Sequence, residues 1–130
     1  MNQDRLRDVP FFSKLKKKEL QVIAQHADEV DVPAGKVLTK QGDLGDAFFV
    51  IESGAAEVTR DGERINELRA GDFFGEMALL EADRRNATVT ATTAMELIVM
   101  TRASFRSIDK AMPEVHKSVE EAIKQRRVPA

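Results

Sequence analysis

The chain has 130 residues, a net charge of −2, 42% hydrophobic and 32% charged residues, and no cysteine. That length suits one domain with a real core. The interspersed charge excludes the basic surface that drives nucleic-acid binding, and the missing thiols exclude disulfides, thiolate nucleophiles and thiolate metal sites. No apolar run approaches the roughly 20 residues of a membrane helix. The charged N-terminus carries no apolar signal core, so a cytoplasmic protein without a membrane segment is expected.

In chain order, residues 2–9 are charged, with Leu6 and Val9 apolar, and read as a short helix ending before Pro10. Phe11 and Phe12 follow as an apolar anchor, and Ser13 is placed as an N-cap. Leu20, Ile23, Ala24 and Ala27 then recur at helical spacing over 14–27. Lys14, Lys16, Lys17 and Lys18 form its solvated side.

From Asp28 the period changes to two. Strands are predicted around Val30 and Val32, then at 37–39, 47–51, 55–60 and 64–68. Turns fall at 33–35, 53–54 and 70–72, with Asp61-Gly62 a hairpin signal. Gly42 and Gly45 read as turn glycines in a loop over 41–46. Two further strands are predicted at 87–91 and 95–101. The helical pattern returns over 103–108, and Pro113 suits the first turn of a last helix with an apolar stripe of Val115, Val119, Ala122 and Ile123.

The pattern predicts an α+β, mainly β fold: an eight-stranded antiparallel β jelly roll with N-terminal helices and two C-terminal helices. One domain over 1–130 would comprise a helical start (1–27), the roll (28–101) and the closing helices (102–127).

The most informative segment opens with Gly71-Asp72-Phe73 and runs Phe74-Gly75-Glu76-Met77-Ala78-Leu79-Leu80 to Arg84-Arg85-Asn86-Ala87-Thr88-Val89. A glycine followed by a short helix offers unpaired N–H groups and partial positive charge to an anion. Gly75 removes the Cβ from such a surface and Ala78 keeps it low. Arg85 adds a planar, permanently charged fork. Taken singly, a Gly-Glu pair or an arginine is usually a solvated surface feature.

Together, at this spacing and behind a predicted strand, these residues resemble the phosphate-binding cassette of the cyclic nucleotide-binding domain family. The similarity is to catabolite-activator-like and protein kinase A regulatory-subunit-like domains, of a bacterial stand-alone type. It implies a cassette over 73–89 in which Arg85 holds the exocyclic phosphate and Glu76 accepts a hydrogen bond from the ribose 2′-hydroxyl. Phe74, Gly75, Met77, Ala78, Asn86, Ala87 and Thr88 complete it, with an Ala87 N–H to the phosphate. Val58 is a candidate wall for the base or ordinary core, and Val119 and Ile123 are implied lid contacts or a packing or dimer stripe.

The family associates threonine after the cassette arginine with guanine, and Asn86 stands there. Adenine, hence cAMP, is the expected ligand, and cGMP or another cyclic nucleotide is the alternative. Arg84 is expected on a solvated face.

No nucleophile elbow, P-loop or dinucleotide fingerprint occurs. His26 and His116 fall in predicted helices, so a cupin-type metal site fails. The expectation is a non-catalytic sensor with no cofactor or metal. Its partners would be a cyclic nucleotide and an unidentified effector protein or fused effector domain. With no helix-turn-helix, nucleic acid is not an expected partner. The rival expectation is an interaction module that keeps the fold without the ligand.

Overall fold

The computed structural model describes residues 6–7, 12, 15–75, 83–111, 113, 117 and 121. Helix α1 (Lys17–His26) precedes strands β1 (Asp28–Val32), β2 (Val37–Thr39), β3 (Leu44–Gly45), β4 (Ala47–Ser53) and β5 (Ala55–Arg60). Strands β6 (Glu63–Arg69), β7 (Phe73–Phe74), β8 (Asp83–Arg84), β9 (Thr88–Ala91) and β10 (Met95–Thr101) follow, then helix α2 (Arg102–Ala111). One sheet has the order β1-β10-β4-β7 and a second β2-β9-β5-β6, and β3 and β8 form a separate two-stranded ribbon. Every pairing is antiparallel. This is the expected jelly roll, with β3, β7 and β8 as two-residue strands.

Strands β4, β7 and β10 of the first sheet are buried on both faces, which explains the near-continuous apolar runs of β4 and β10; β1 at its edge is largely exposed. Phe48, Val50, Phe73, Ile98 and Met100 face a core shared with Leu20, Ile23, Phe105 and Ile108 of the helices. Ile51, Phe74, Met95 and Leu97 face the space between the sheets, where Ala56, Val58, Leu68 and Val89 meet them. The successive phenylalanines of β7 therefore serve opposite sides, as the period of two requires. Phe73 packs edge-on to Phe48, with centroids 5.7 Å apart. Phe74 stacks on Phe49 at 4.7 Å.

Helix α1 starts at Lys17, three residues later than the periodicity predicts. Glu19 sets the start: its carboxylate accepts from the Lys16 backbone N–H at 2.9 Å, and Lys16 is extended. Ser13, the expected cap, lies outside the described residues. Lys16, Lys17 and Lys18 are exposed, as a solvated face should be. Thr101 ends β10 and caps α2, its Oγ1 accepting from the Ser104 N–H at 3.1 Å. Beyond α2, Pro113, Lys117 and Glu121 are helical and exposed. Val119 and Ile123 lie outside the described residues.

The Asp61-Gly62 hairpin forms as the sequence predicts, with φ of 54° and 82° at the two positions. Among the described residues no helix is long and apolar enough to cross a membrane.

Phe73 is fully buried between β7 and the helices, whereas Ile65 on β6 is 44% exposed. Phe73→Ala should cost roughly 3–5 kcal/mol, and Ile65→Ala less than about 1 kcal/mol, in urea denaturation. Equal losses would contradict a core shared by the sheet and both helices.

Candidate functional site

The β3–β8 ribbon delivers Arg85. Leu44 pairs with Arg84 and Gly45 with Asp83. The Arg85 N–H donates to the Asp43 carbonyl at 2.8 Å, and the Gly42 N–H donates to the Arg85 carbonyl at 2.8 Å. Alternation along this ribbon separates the two arginines. Arg84 is exposed and donates through Nη1 to the Gly42 carbonyl at 2.8 Å. Arg85 is half-buried and donates through Nη2 to the Ala47 carbonyl at 2.6 Å.

Two glycines make room for that guanidinium. A Cβ on Gly45 would stand 2.1 Å from Arg85 Nε, and one on Gly75 would stand 2.6 Å from Arg85 Nη1 and 2.8 Å from the Ala47 carbonyl oxygen. Gly75 also has φ of 77°, a conformation that suits glycine. Gly45, read from the sequence as a turn glycine, sits beneath the arginine because β3 pairs with β8, a pairing that two-residue strands do not announce. Gly42, with φ of 88° and no neighbour in the way of a Cβ, is the turn glycine expected.

Arg85 lies on an open cavity of about 400 Å³, whose walls include Val37, Leu38 and Thr39 of β2, Gly45, Ala47 and Phe49. The apolar side chains of β2 and Phe49 thus share one space with a permanent cation. Such a space, which Lys40, Asp43 and Asp46 also line, offers an amphipathic anion a cationic end and an apolar wall.

The end of the expected cassette is tied down by two separate bonds. The Thr88 hydroxyl accepts from the Gln41 backbone N–H at 3.0 Å. The Asn86 carbonyl accepts from Arg60 Nε at 3.1 Å. Ala87 between them is 1% exposed. The Asn86 side chain is exposed.

The structure places two of the expected ligand contacts, Phe74 and Val58, in the core between the sheets. Phe74 is 1% exposed and Val58 fully buried, both in the inter-sheet core and neither on the wall of this cavity. Each takes the inward face of its strand, where packing against the opposite sheet claims the side chain. Glu76, Met77 and Ala78 lie outside the described residues. Among the described residues no group of three or more metal-ligating side chains gathers.

The family model of the cyclic nucleotide-binding domain matches residues 29–111, and the chain belongs to that family. It is 40% identical over 105 residues to a cAMP-dependent protein kinase regulatory subunit of Emericella nidulans, a match covering 79% of this chain and 26% of that protein. It is 36% identical over 119 residues to a cyclic nucleotide-gated potassium channel of Rhizobium etli, covering 92% of this chain and 33% of the channel. The structure resembles the catabolite activator protein of Thermus thermophilus with a TM-score of 0.77 and 28% identity, over 90% of this chain and 57% of that one. The chain therefore spans about a quarter to a third of these curated relatives.

The two glycines beneath Arg85 should respond differently to an added methyl. Gly75→Ala meets a backbone oxygen at an unfavourable φ, and should cost about 1–3 kcal/mol of stability. Gly45→Ala meets the mobile end of a side chain, and should cost less than about 1 kcal/mol while displacing the guanidinium. Urea denaturation midpoints of the two variants check this, and a larger loss in Gly45→Ala would contradict the geometry.

Proposed function

We propose that this chain is a non-catalytic sensor that binds cAMP through the segment 73–89 and passes the event to its C-terminal helices. The observation that carries the reading is Arg85, a half-buried guanidinium held above two glycine surfaces at the edge of a partly apolar cavity. Membership of the cyclic nucleotide-binding family supports it.

In this reading the exocyclic phosphate binds Arg85. An anionic oxygen is a stronger acceptor than the neutral Ala47 carbonyl that the guanidinium meets in this structure. The Ala87 N–H contributes a further donor, and Glu76 takes the ribose 2′-hydroxyl. The base lies along the apolar side of the site, with Val119 and Ile123 as lid residues. Adenine is favoured by the similarity to a cAMP-dependent kinase regulatory subunit.

The route to the helices starts at the residue that Arg85 touches. Ala47 pairs with Thr101 across β4 and β10. Thr101 caps α2. One residue to either side, the Arg102 N–H donates to the Asp46 carbonyl at 2.8 Å. A shift of Arg85 away from Ala47 would thus be felt at the α2 start. Coupling of this kind requires contacts that differ between the two states. The effector is a partner protein or a domain fused to this one.

Titration calorimetry with cAMP and cGMP tests the proposal. Saturable cAMP binding is expected, with cGMP weaker, and Arg85→Ala should weaken cAMP by roughly ten- to a hundredfold, the worth of one charge-assisted hydrogen bond. Bound cAMP should also raise the melting temperature by mass action. No heat and no thermal shift with either nucleotide would overturn the sensor reading and leave an interaction module.

A further inference from the structure

Arg60 ends β5, on the hairpin opposite the cassette, and nothing in the sequence marks it as a ligand residue. Its guanidinium nevertheless reaches the cassette: Nε donates to the Asn86 carbonyl at 3.1 Å. The turn that follows Arg60 is held in place as well. Gln41 Nε2 donates to Asp61 Oδ1, and the Asp61 N–H donates back to Gln41 Oε1, both at 2.9 Å. This reciprocal pair steadies a non-glycine residue at φ of 54°. The Gln41 backbone N–H in turn donates to Thr88 Oγ1. The hairpin tip, the β2–β3 loop and residues 86–88 form one closed set of hydrogen bonds.

The peptide between Asn86 and Ala87 is trans, since no cis bond occurs among the described residues. In a trans peptide the C=O and N–H point in opposite directions. Fixing the Asn86 oxygen on Arg60 therefore aims the Ala87 N–H away from Arg60. Ala87 is 1% exposed, and among the described residues no acceptor meets its N–H. A buried amide without an acceptor is costly, and native folds rarely keep one without a purpose.

We infer that Arg60 is a positioning residue for phosphate binding, which acts by holding the Asn86–Ala87 peptide so that the Ala87 N–H is presented to the phosphate. This rests on the cyclic nucleotide reading of the same site. Arg60 touches the cassette backbone and not the ligand, so its effect has a geometric signature. The guanidinium must donate to Asn86, and positive charge alone at this position is insufficient.

The experiment uses cAMP with the wild-type chain, Arg60→Met, Arg60→Lys and a control, Arg64→Met. Arg64 carries the same charge on the neighbouring strand and pairs with Glu67. Affinity is measured by calorimetry, and the Ala87 amide proton is followed by ¹H–¹⁵N correlation with and without cAMP. Arg60→Met should weaken binding by about three- to tenfold, the worth of a lost hydrogen bond. It should also reduce the downfield shift of the Ala87 amide on cAMP addition, with the melting temperature of the free protein little changed. Arg60→Lys, which keeps a donor, should recover part of both effects, and Arg64→Met should change neither. Wild-type affinity and an unchanged Ala87 shift in Arg60→Met would overturn the inference while leaving the sensor reading intact. Equal weakening in Arg60→Met and Arg64→Met would also overturn it, by reducing Arg60 to a surface charge. Failure of the wild-type chain to bind cAMP or cGMP would instead defeat the sensor reading, and the inference with it.

Discussion

A guanidinium drawn partly out of water must find acceptors, because a buried charge left unsatisfied is among the costliest features a fold can carry. Arg85 meets that demand in part on the Ala47 carbonyl. Much of the local architecture follows from this one contact. The β3–β8 ribbon brings the arginine to β4, Gly45 and Gly75 clear the space it occupies, and the start of β4 supplies the oxygen. The same bond places a cation beside an apolar cavity wall. In the proposed function an anionic oxygen is a stronger acceptor than this neutral carbonyl, so the structural role and the proposed binding role use one group of donors.

The second constraint is the set of adjacent strands β10, β4 and β7, packed on both faces. A strand buried on both sides has little freedom to move alone, since close-packed interiors resist small displacements. Strand β4 carries Ala47 at one end of the site and Phe48 and Val50 against the helices. Strand β10 pairs with it and ends in the cap of α2. The site and the C-terminal helix are thus joined through two adjacent strands, without any long chain of side chains between them.

Legibility in the sequence varied with the length of the pattern. The long strands β4, β5, β6 and β10 are visible as alternation or continuous apolar runs, and Asp61-Gly62 announces its hairpin because only certain residues tolerate both left-handed positions. The jelly roll follows from their number and spacing. Strands β3, β7 and β8 carry no periodic signal in two residues. The role of Gly45 is hidden with them, since it depends on a ribbon partner about forty residues away. Arg85 was singled out by spacing and resemblance, and its separation from Arg84 emerged only with the ribbon's alternation. Val58 and Phe74 show the opposite difficulty. An apolar residue beside a site reads equally well as a wall or as core, and both side chains pack in the core between the sheets. Arg60 gave no signal at all, because its partner is a backbone carbonyl, which every residue possesses.

The central claim is that Arg85 exchanges the Ala47 carbonyl for a ligand phosphate. Side-chain NMR of Arg85 in ¹⁵N-labelled protein, with the Ala47 carbonyl ¹³C-labelled, observes both partners before and after saturation with cAMP. The account predicts a large shift of the Arg85 guanidinium protons, a scalar coupling across the new hydrogen bond to the phosphate ³¹P, and a change in the Ala47 carbonyl signal as its donor leaves. Saturable cAMP binding with both the Arg85 and the Ala47 signals unmoved would contradict it.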